Sequence, residues 1–134
     1  MISILIKSSK EFDLSEKQIS QWAKKALKSF GQDNCELSIF FVNPKKILTF
    51  NQEYRNLNEA TSVLTFFQGQ ATPEKVLILG DIVICPAQAE EKNLSIRFLI
   101  KHGIKNLLSE ISSAESLRAG SGGGSRKPPK NLKV

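Results

Sequence analysis

The sequence contains little cysteine, histidine or tryptophan, and it has no long apolar run. Its 134 residues include two cysteines, one histidine and one tryptophan. No stretch reaches the roughly 18 apolar residues of a membrane-spanning helix. The opening segment, residues 1–13, has no basic flank or cleavage pattern, so it is interpreted as a strand and not as a signal peptide. Cys35 and Cys85 lie in separate apolar segments and form no C-x-x-C pair, which predicts two buried, reduced thiols in a cytoplasmic protein.

The net charge of +6 is unevenly distributed along the chain. From Arg118 to the end there are five basic residues and no acidic residue, which leaves 14 basic against 13 acidic residues in the rest of the chain. Residues 120–134 are rich in glycine, serine, lysine and proline, and we predict a flexible basic tail there. Such a tail either adds weak electrostatic affinity for a polyanion or has no role. The overall charge therefore does not by itself indicate nucleic-acid binding by the folded part.

Helix and strand patterns alternate along residues 1–119 and predict a single α+β domain with a small mixed sheet packed by helices. Ser15 with Gln18 three residues later predicts a helix start, and Gly31 predicts its end. Asn43 and Pro44 predict the start of a second helix. Strands are predicted at 2–6, 35–42, 61–67 and 76–84, a loop at 68–75, and further helices at 87–92 and from 96 onward.

The last predicted helix carries the single histidine, His102, followed by Gly103. Its apolar residues recur at steps of three and four and form one stripe, and His102 lies about 150° from the centre of that stripe. His102 therefore faces either solvent or a groove, and a solvated histidine is the simpler interpretation. Gly103 lies on the stripe, where glycine costs up to about 1 kcal/mol relative to alanine. We expect another backbone element, such as a strand, to come close at that point.

Three segments of this chain share a recognisable order and spacing: NQEYRNLNEATSVLTFF at 51–67, LGDIVI at 79–84 and IKHGIKNLL at 100–108. Together they resemble the YbeY-type rRNA maturation factors, a family of zinc-dependent endoribonucleases. That family has Asn-x-x-Tyr-Arg, a spacer and Thr-Asp-Val-Leu-Ser-Phe-Pro in the first segment, where this chain has Ser62 in place of the Asp. The resemblance implies the YbeY metalloprotease-like fold and phosphodiester cleavage in ribosomal RNA processing. It also implies ribosomal RNA or small-subunit components as partners.

The resemblance further implies zinc held by three histidines, at positions that this chain fills with His102, Asn106 and Ser112. Zinc prefers imidazole, thiolate or carboxylate, and a catalytic site needs three such protein ligands plus a water. An amide and a hydroxyl are poor substitutes, so the cofactor is either zinc, as the family implies, or none. The family also breaks this helix before its third histidine, whereas the apolar stripe here predicts that the helix continues to about Arg118.

Three other side chains are candidates to replace the missing ligands. Glu110 lies eight residues beyond His102, about 12 Å along a straight helix, which is too far to share one ion. Asp81 and Cys85 lie on a predicted strand that could approach the helix, and the sequence leaves that possibility open.

Arg55 and His102 are the candidate catalytic residues. The family's matching arginine is expected to face the cleft and to engage RNA or assist catalysis, and a guanidinium suits bidentate phosphate contact. The alternative for Arg55 is a surface arginine at a helix end that pairs with a nearby glutamate. Lys101 and Lys105 flank His102 and are candidate RNA contacts, or else ordinary surface lysines.

Three functions remain open from the sequence. The first is an endoribonuclease of ribosomal RNA maturation. The second is a metal-free relative that binds RNA or the ribosome without cleaving it. The third is an interaction module that shares only the scaffold of the family.

Overall fold

The computed structural model describes residues 1–8 and 12–118, and it describes side chains up to residue 111. The predicted tail at 120–134 lies outside these residues, so the predicted domain boundary after residue 119 stays a prediction. The elements, in chain order, are β1 (Ile2–Ser8), α1 (Glu16–Ser29), β2 (Cys35–Phe41), α2 (Pro44–Tyr54), β3 (Val63–Ala71), β4 (Leu77–Ile84), α3 (Pro86–Glu91) and α4 (Ile96–Arg118). None of the described helices is long and apolar enough to cross a membrane.

The four strands form one mixed sheet in the order β1-β2-β4-β3. The first three are parallel, and β3 pairs antiparallel with β4 at the edge of the sheet. This arrangement confirms the predicted α+β class. Apolar residues cover both faces of the central strands, so helices must pack on both sides.

The core divides into two clusters, one on each face of the sheet. On one face α1 and α4 pack together over Leu37, Ile39 and Ile82. On the other face the shorter α2 covers a smaller cluster that includes Phe66 and Val83. We refer to these as the α1/α4 face and the α2 face. Because successive side chains of a strand point to opposite faces, this division fixes the side to which each strand residue belongs.

The helix starts form as the local sequence predicts. The side chain of Ser15 accepts a hydrogen bond from the Gln18 N–H at 3.2 Å, and α1 ends before Gly31, whose φ is +83°. The side chain of Asn43 accepts from the Lys46 N–H at 2.8 Å, directly before the proline that opens α2. Each cap satisfies one of the N–H groups that a helix start leaves without an intrahelical partner.

The predicted loop at 68–75 is wrong for its first half. Strand β3 continues to Ala71, and Gln70 and Ala71 pair with Ile78 and Leu77 on β4. The pairing shifts between Phe67 and Gln70, where Gly69 has a φ of +64°. An irregularity of this kind inserts extra residues into one strand without ending the ladder. The connection between the strands therefore shortens to residues 72–76.

The two cysteines are buried and unpaired, as predicted. Cys35 belongs to the α1/α4 face and Cys85 to the α2 face, so the sheet separates them. Burial raises the pKa of both thiols, which keeps them protonated and disfavours metal binding.

Candidate functional site

Helix α4 lies closely on the sheet at Gly103. This glycine is buried, and a Cβ atom placed on it would lie 2.9 Å from Cδ1 and 3.0 Å from Cγ2 of Ile82. Real Cβ atoms are rarely found so close to a neighbouring side chain. The expectation that the backbone of another element comes close here is wrong in that respect, because the three nearest atoms all belong to the side chain of Ile82 on β4.

His102 lies on the exposed side of α4, opposite the packed face. Its ring stacks on Phe98, one turn earlier, with the ring centroids 5.8 Å apart and the planes 13° apart. Asn106, one turn further on, is also exposed, as are Lys101 and Lys105. His102 is therefore a surface histidine whose aromatic neighbour comes from its own helix.

Helix α4 runs without interruption from Ile96 to Arg118. The predicted continuation to Arg118 is confirmed. Position 112 consequently lies about 15 Å beyond position 102 along the helix axis. Glu110 is exposed and lies about 12 Å along the same axis, so it is not a neighbour of His102 either.

The strand candidates for metal binding lie away from His102. Ile82 points to the α1/α4 face, so its neighbour on the strand, Asp81, points to the α2 face. There the side-chain N–H of Gln68 donates to Oδ2 of Asp81 at 3.3 Å. Burial raises the pKa of Asp81, although hydrogen bonds from Gln68 and Ser38 oppose that shift. Cys85 packs in the cluster under α2. Among the side chains of residues 1–8 and 12–111, no three from His, Cys, Asp or Glu are grouped so that they could hold a metal ion.

Arg55 is anchored to the edge strand. It follows the last residue of α2 and is half-buried, with Nη2 donating to the carbonyl oxygen of Thr65 and the guanidinium 5.2 Å from the centroid of the Phe66 ring. Tyr54 meets the same ring edge-on at 5.8 Å. The arginine thus combines a backbone hydrogen bond with a cation–π contact on the α2 face.

Asn51 is the residue whose role sequence reasoning missed. It is fully buried, and its side chain donates to the Glu59 carbonyl at 2.7 Å and to Thr61 Oγ1 at 3.2 Å. Its backbone carbonyl accepts from the N–H groups of Arg55 and Leu57, each at 3.0 Å. Asn51 therefore holds the chain between α2 and β3 and sets the position of Arg55. An asparagine on the apolar side of a helix was the available signal, because a buried amide needs partners.

The structure brings some of the predicted site residues together and separates others. His102, Lys101 and Lys105 share the outer side of α4, which packs on the α1/α4 face. Arg55 packs against Phe66 on the α2 face. The helices that carry the two groups, α4 and α2, thus pack on opposite faces of the sheet.

Comparison with known proteins assigns the family. The family model for endoribonuclease YbeY matches residues 4–109. The chain is 33% identical over 113 residues to endoribonuclease YbeY of Aquifex aeolicus, a match that covers 78% of this chain and 74% of that protein. It is also 33% identical over 104 residues to endoribonuclease YbeY of a Sulfurihydrogenibium species, covering 72% of this chain and 68% of that one.

Among solved structures, the solution structure of TM1509 from Thermotoga maritima aligns with 99% of this chain and 100% of its own, at 19% identity and a TM-score of 0.47. The family assignment rests on the sequence matches. The family model extends through both the Arg55 segment and the His102 segment. The chain belongs to the endoribonuclease YbeY family, whose members are typically zinc metalloenzymes of ribosomal RNA maturation.

Proposed function

We propose that this chain serves ribosomal RNA maturation by binding RNA, and that it does not use zinc to cleave it. The observation that carries the proposal is the form of α4. The helix presents one imidazole to solvent and then continues without the turn that would return a later residue to it. RNA binding comes from the family, and the loss of metal chemistry comes from the donor groups of this chain.

The donor set around His102 does not fit zinc. Catalytic zinc sites take three protein ligands from imidazole, thiolate and carboxylate groups. Here the neighbour one turn along is the amide of Asn106, and position 112 is about 15 Å away along the helix axis. Asp81 and Cys85, the other candidates, belong to the opposite face of the sheet. No catalytic step through a metal is therefore assigned to this chain.

Arg55 supports RNA binding at the edge of the sheet. Thr65 and Phe66 already hold the Arg55 side chain in one position. Arg55 therefore loses less conformational entropy on binding a ligand than a freely rotating arginine would. Nη2 donates to the Thr65 carbonyl and Nη1 is buried, so Arg55 attracts a phosphate through its fixed positive charge. Because Asn51 holds the adjoining chain, the position of Arg55 is set by the fold and not by an exposed loop.

A second candidate function is the endoribonuclease activity of the family. The match to the family model over residues 4–109 favours it. This alternative needs a metal-binding group besides His102, and it predicts metal-dependent cleavage of RNA by the purified chain.

Metal analysis of the full-length protein separates the two functions. The protein is purified without chelator, dialysed against zinc and analysed by atomic emission. We expect far less than one zinc per chain, and no difference between the wild type and His102→Ala. One zinc per chain that disappears in His102→Ala, together with RNA cleavage that disappears with it, would refute the metal-free proposal.

RNA binding is tested by fluorescence anisotropy with a short labelled single-stranded RNA at low salt. Arg55→Lys keeps the charge but removes the planar guanidinium that Thr65 and Phe66 hold in place, and Arg55→Ala removes both. We expect weaker binding in the order wild type, lysine, alanine, with Lys75→Ala as a control at an exposed position in the β3–β4 turn. Thermal melts of each variant identify any loss that comes from unfolding. The absence of RNA binding by the folded wild type would overturn the proposal.

A further inference from the structure

The sheet has two edges, and they differ in how far the structure protects them from pairing with another strand. Strand β3 forms one edge. Its ladder shifts between Phe67 and Gln70, and the carbonyl oxygen of Thr65 accepts a hydrogen bond from Arg55. Natural proteins use irregularities of this kind to keep an edge strand from pairing further. Strand β1 forms the other edge, and among the residues that the structure describes it pairs with β2 alone, in one unbroken register.

The backbone groups of β1 alternate between the two sides of the strand. The N–H of Cys35 donates to the carbonyl oxygen of Met1 at 3.2 Å, and Cys35 is the register partner of Ile2. In a parallel ladder, this pairing directs the N–H and C=O groups of the odd-numbered residues towards β2. The same groups of the even-numbered residues therefore point away from the sheet, and these residues are Ile2, Ile4, Ile6 and Ser8. They form a row of donors and acceptors ready to pair with another strand.

The side chains of β1 also favour pairing. The strand has the sequence ISILIKS, with a single charged residue, Lys7, and without proline. Its isoleucines are only partly buried against the cluster on the α1/α4 face. On the α2 face Leu5 is 48% exposed, because the cluster under α2 is built from residues between Phe40 and Cys85. An apolar edge strand of this length is the kind that associates with a further strand.

We propose that β1 pairs antiparallel with β1 of a second copy of this chain, so that two four-stranded sheets join into one sheet of eight strands. The two-fold axis passes between the Leu5 residues of the two copies. Residues that lie opposite each other across such a pair point to the same face of the sheet. The other opposed pairs are Ile4 with Ile6, Ser3 with Lys7 and Ile2 with Ser8.

The register identifies a second copy as the occupant of this edge. It pairs all seven residues of β1, whereas a shift by two residues would leave one end unpaired and a shift by one would exchange the faces. The outward groups of Ile4 and Ile6 meet as hydrogen-bonded pairs. The two Leu5 side chains meet at a non-hydrogen-bonded pair, where opposed side chains lie closest. Lys7 lies opposite Ser3, so the two lysines do not oppose each other.

The chain's own C-terminal segment is a poor alternative occupant. Residues 120–134 include four glycines and two prolines, which are depleted in strands. The proposal is also independent of the proposed function. The two β3 edges, with Arg55, would remain free at the ends of the larger sheet, about 34 Å apart at seven strand spacings of about 4.8 Å.

The mass of the full-length protein in solution tests the association. Light scattering is measured from about 1 μM to about 1 mM, the range in which weak complexes dissociate. We expect the mass to rise with concentration from 14.9 kDa towards twice that value. Leu5→Lys opposes two ammonium groups at the two-fold axis and should remain monomeric. Leu57→Lys is the matched control, because it makes the same change at a leucine that is 46% exposed after α2, and it should associate like the wild type.

Cysteine cross-linking tests the register. The Cα atoms of a non-hydrogen-bonded antiparallel pair lie about 4.5 Å apart, within the range that a disulfide spans. Leu5→Cys should therefore form a disulfide-linked dimer under mild oxidation. Ser3→Cys, on the same face of the same strand, should not, because the two copies of residue 3 would lie about 13 Å apart. The wild type serves as the blank, since Cys35 and Cys85 are buried.

Amide hydrogen exchange tests the strand pairing itself. The N–H groups of Ile4 and Ile6 point away from β2, so they should exchange rapidly in the dilute protein and slowly once the dimer forms. The same groups should stay unprotected in Leu5→Lys at high concentration.

Four results would overturn the proposal. The first is a wild type of 14.9 kDa at every concentration. The second is a dimer that persists in Leu5→Lys, because its interface would lie elsewhere. The third is equal cross-linking of Leu5→Cys and Ser3→Cys, which would exclude this register. The fourth is protection of the Ile4 and Ile6 amides in a monomer, which would show that another segment of the chain covers the edge. None of these results bears on RNA binding by Arg55, so the proposed function is tested separately.

Discussion

Replacement of Gly103 by alanine should destabilise the protein even though alanine is the better helix former. The new Cβ would lie 2.9, 3.0 and 3.2 Å from three carbons of the Ile82 side chain. Ile82 is fully buried in a strand covered on both faces, so its side chain has little room to move. Alanine gains up to about 1 kcal/mol of helix propensity, whereas overpacking of a core costs about 1–3 kcal/mol. We expect a net loss of about 1 kcal/mol in the free energy of unfolding.

Urea denaturation of four proteins tests the reasoning: wild type, Gly103→Ala, Ile82→Val and the double variant. Ile82→Val removes Cδ1, the atom of closest approach, and should itself cost about 0.5–1.5 kcal/mol. Gly103→Ala should then cost less in the valine background, with a coupling energy of at least about 0.5 kcal/mol. Asn106→Ala, on the exposed side of the same helix, is the control for propensity alone and should stabilise by a few tenths of a kcal/mol.

Two results would refute this account of Gly103. If Gly103→Ala raises stability by as much as helix propensity allows, α4 does not lie as close to β4 as the structure indicates. If the cost of Gly103→Ala is the same in both backgrounds, the obstructing group is not the Ile82 side chain.

Three further predictions follow from buried and exposed polar groups. Burial raises the pKa of Asp81 in the folded protein, so the contribution of Asp81 to stability is greatest at low pH and declines as the pH rises through that pKa. Asp81→Asn should therefore raise the urea midpoint at neutral pH. This gain should disappear below the ordinary aspartate pKa of about 3.9. Asn51→Ala leaves the Glu59 carbonyl without its donor and should lower the free energy of unfolding by about 1–3 kcal/mol in the same titration. Asn106→His places two histidines one turn apart, and zinc at about 100 times its dissociation constant should then stabilise the variant by about 2.7 kcal/mol in thermal melts.

Each of these has an outcome that contradicts it. A stability difference between wild type and Asp81→Asn that does not vary with pH would show that the carboxyl does not titrate with folding. An Asn51→Ala variant as stable as the wild type would mean that its amide is not essential to the chain after α2. Tighter zinc binding on adding Ser112→His to Asn106→His would show that position 112 can reach the pair, contrary to an uninterrupted α4.

The helix starts could be predicted because their signals are local. Ser15 and Asn43 identify the first residues of α1 and α2, and the same side chains make the capping hydrogen bonds. The second half of β3 could not be predicted in this way. A loop was predicted at Gln68 to Ala71 because these residues are polar or small. Pairing with β4 nevertheless holds this segment in the sheet. Cross-strand pairing depends on a partner that is distant in sequence.

The orientation of His102 could also be predicted, whereas the orientation of Asp81 and Cys85 could not. Helix α4 has a polar side and an apolar side, so its spacing reveals which residues face outward. Strand β4 is buried on both faces from Leu79 onward. A strand of that kind has no alternation of polar and apolar residues, and the sequence gives no sign of which face each side chain joins.

The distribution of charge shows why net charge alone is a poor guide to RNA binding. Before Arg118 the sequence carries 14 basic and 13 acidic residues, a balance that favours no polyanion. Helices α1 and α4 are about 70 residues apart in sequence, but in the fold they pack against each other on one face of the sheet. Together they bring half of those basic residues to that face. Phosphate groups respond to the local potential, which weakens within about 10 Å at 0.1 M salt. An electrostatic binding site can therefore arise from a sequence of nearly balanced charge, and its position follows from the packing of the helices.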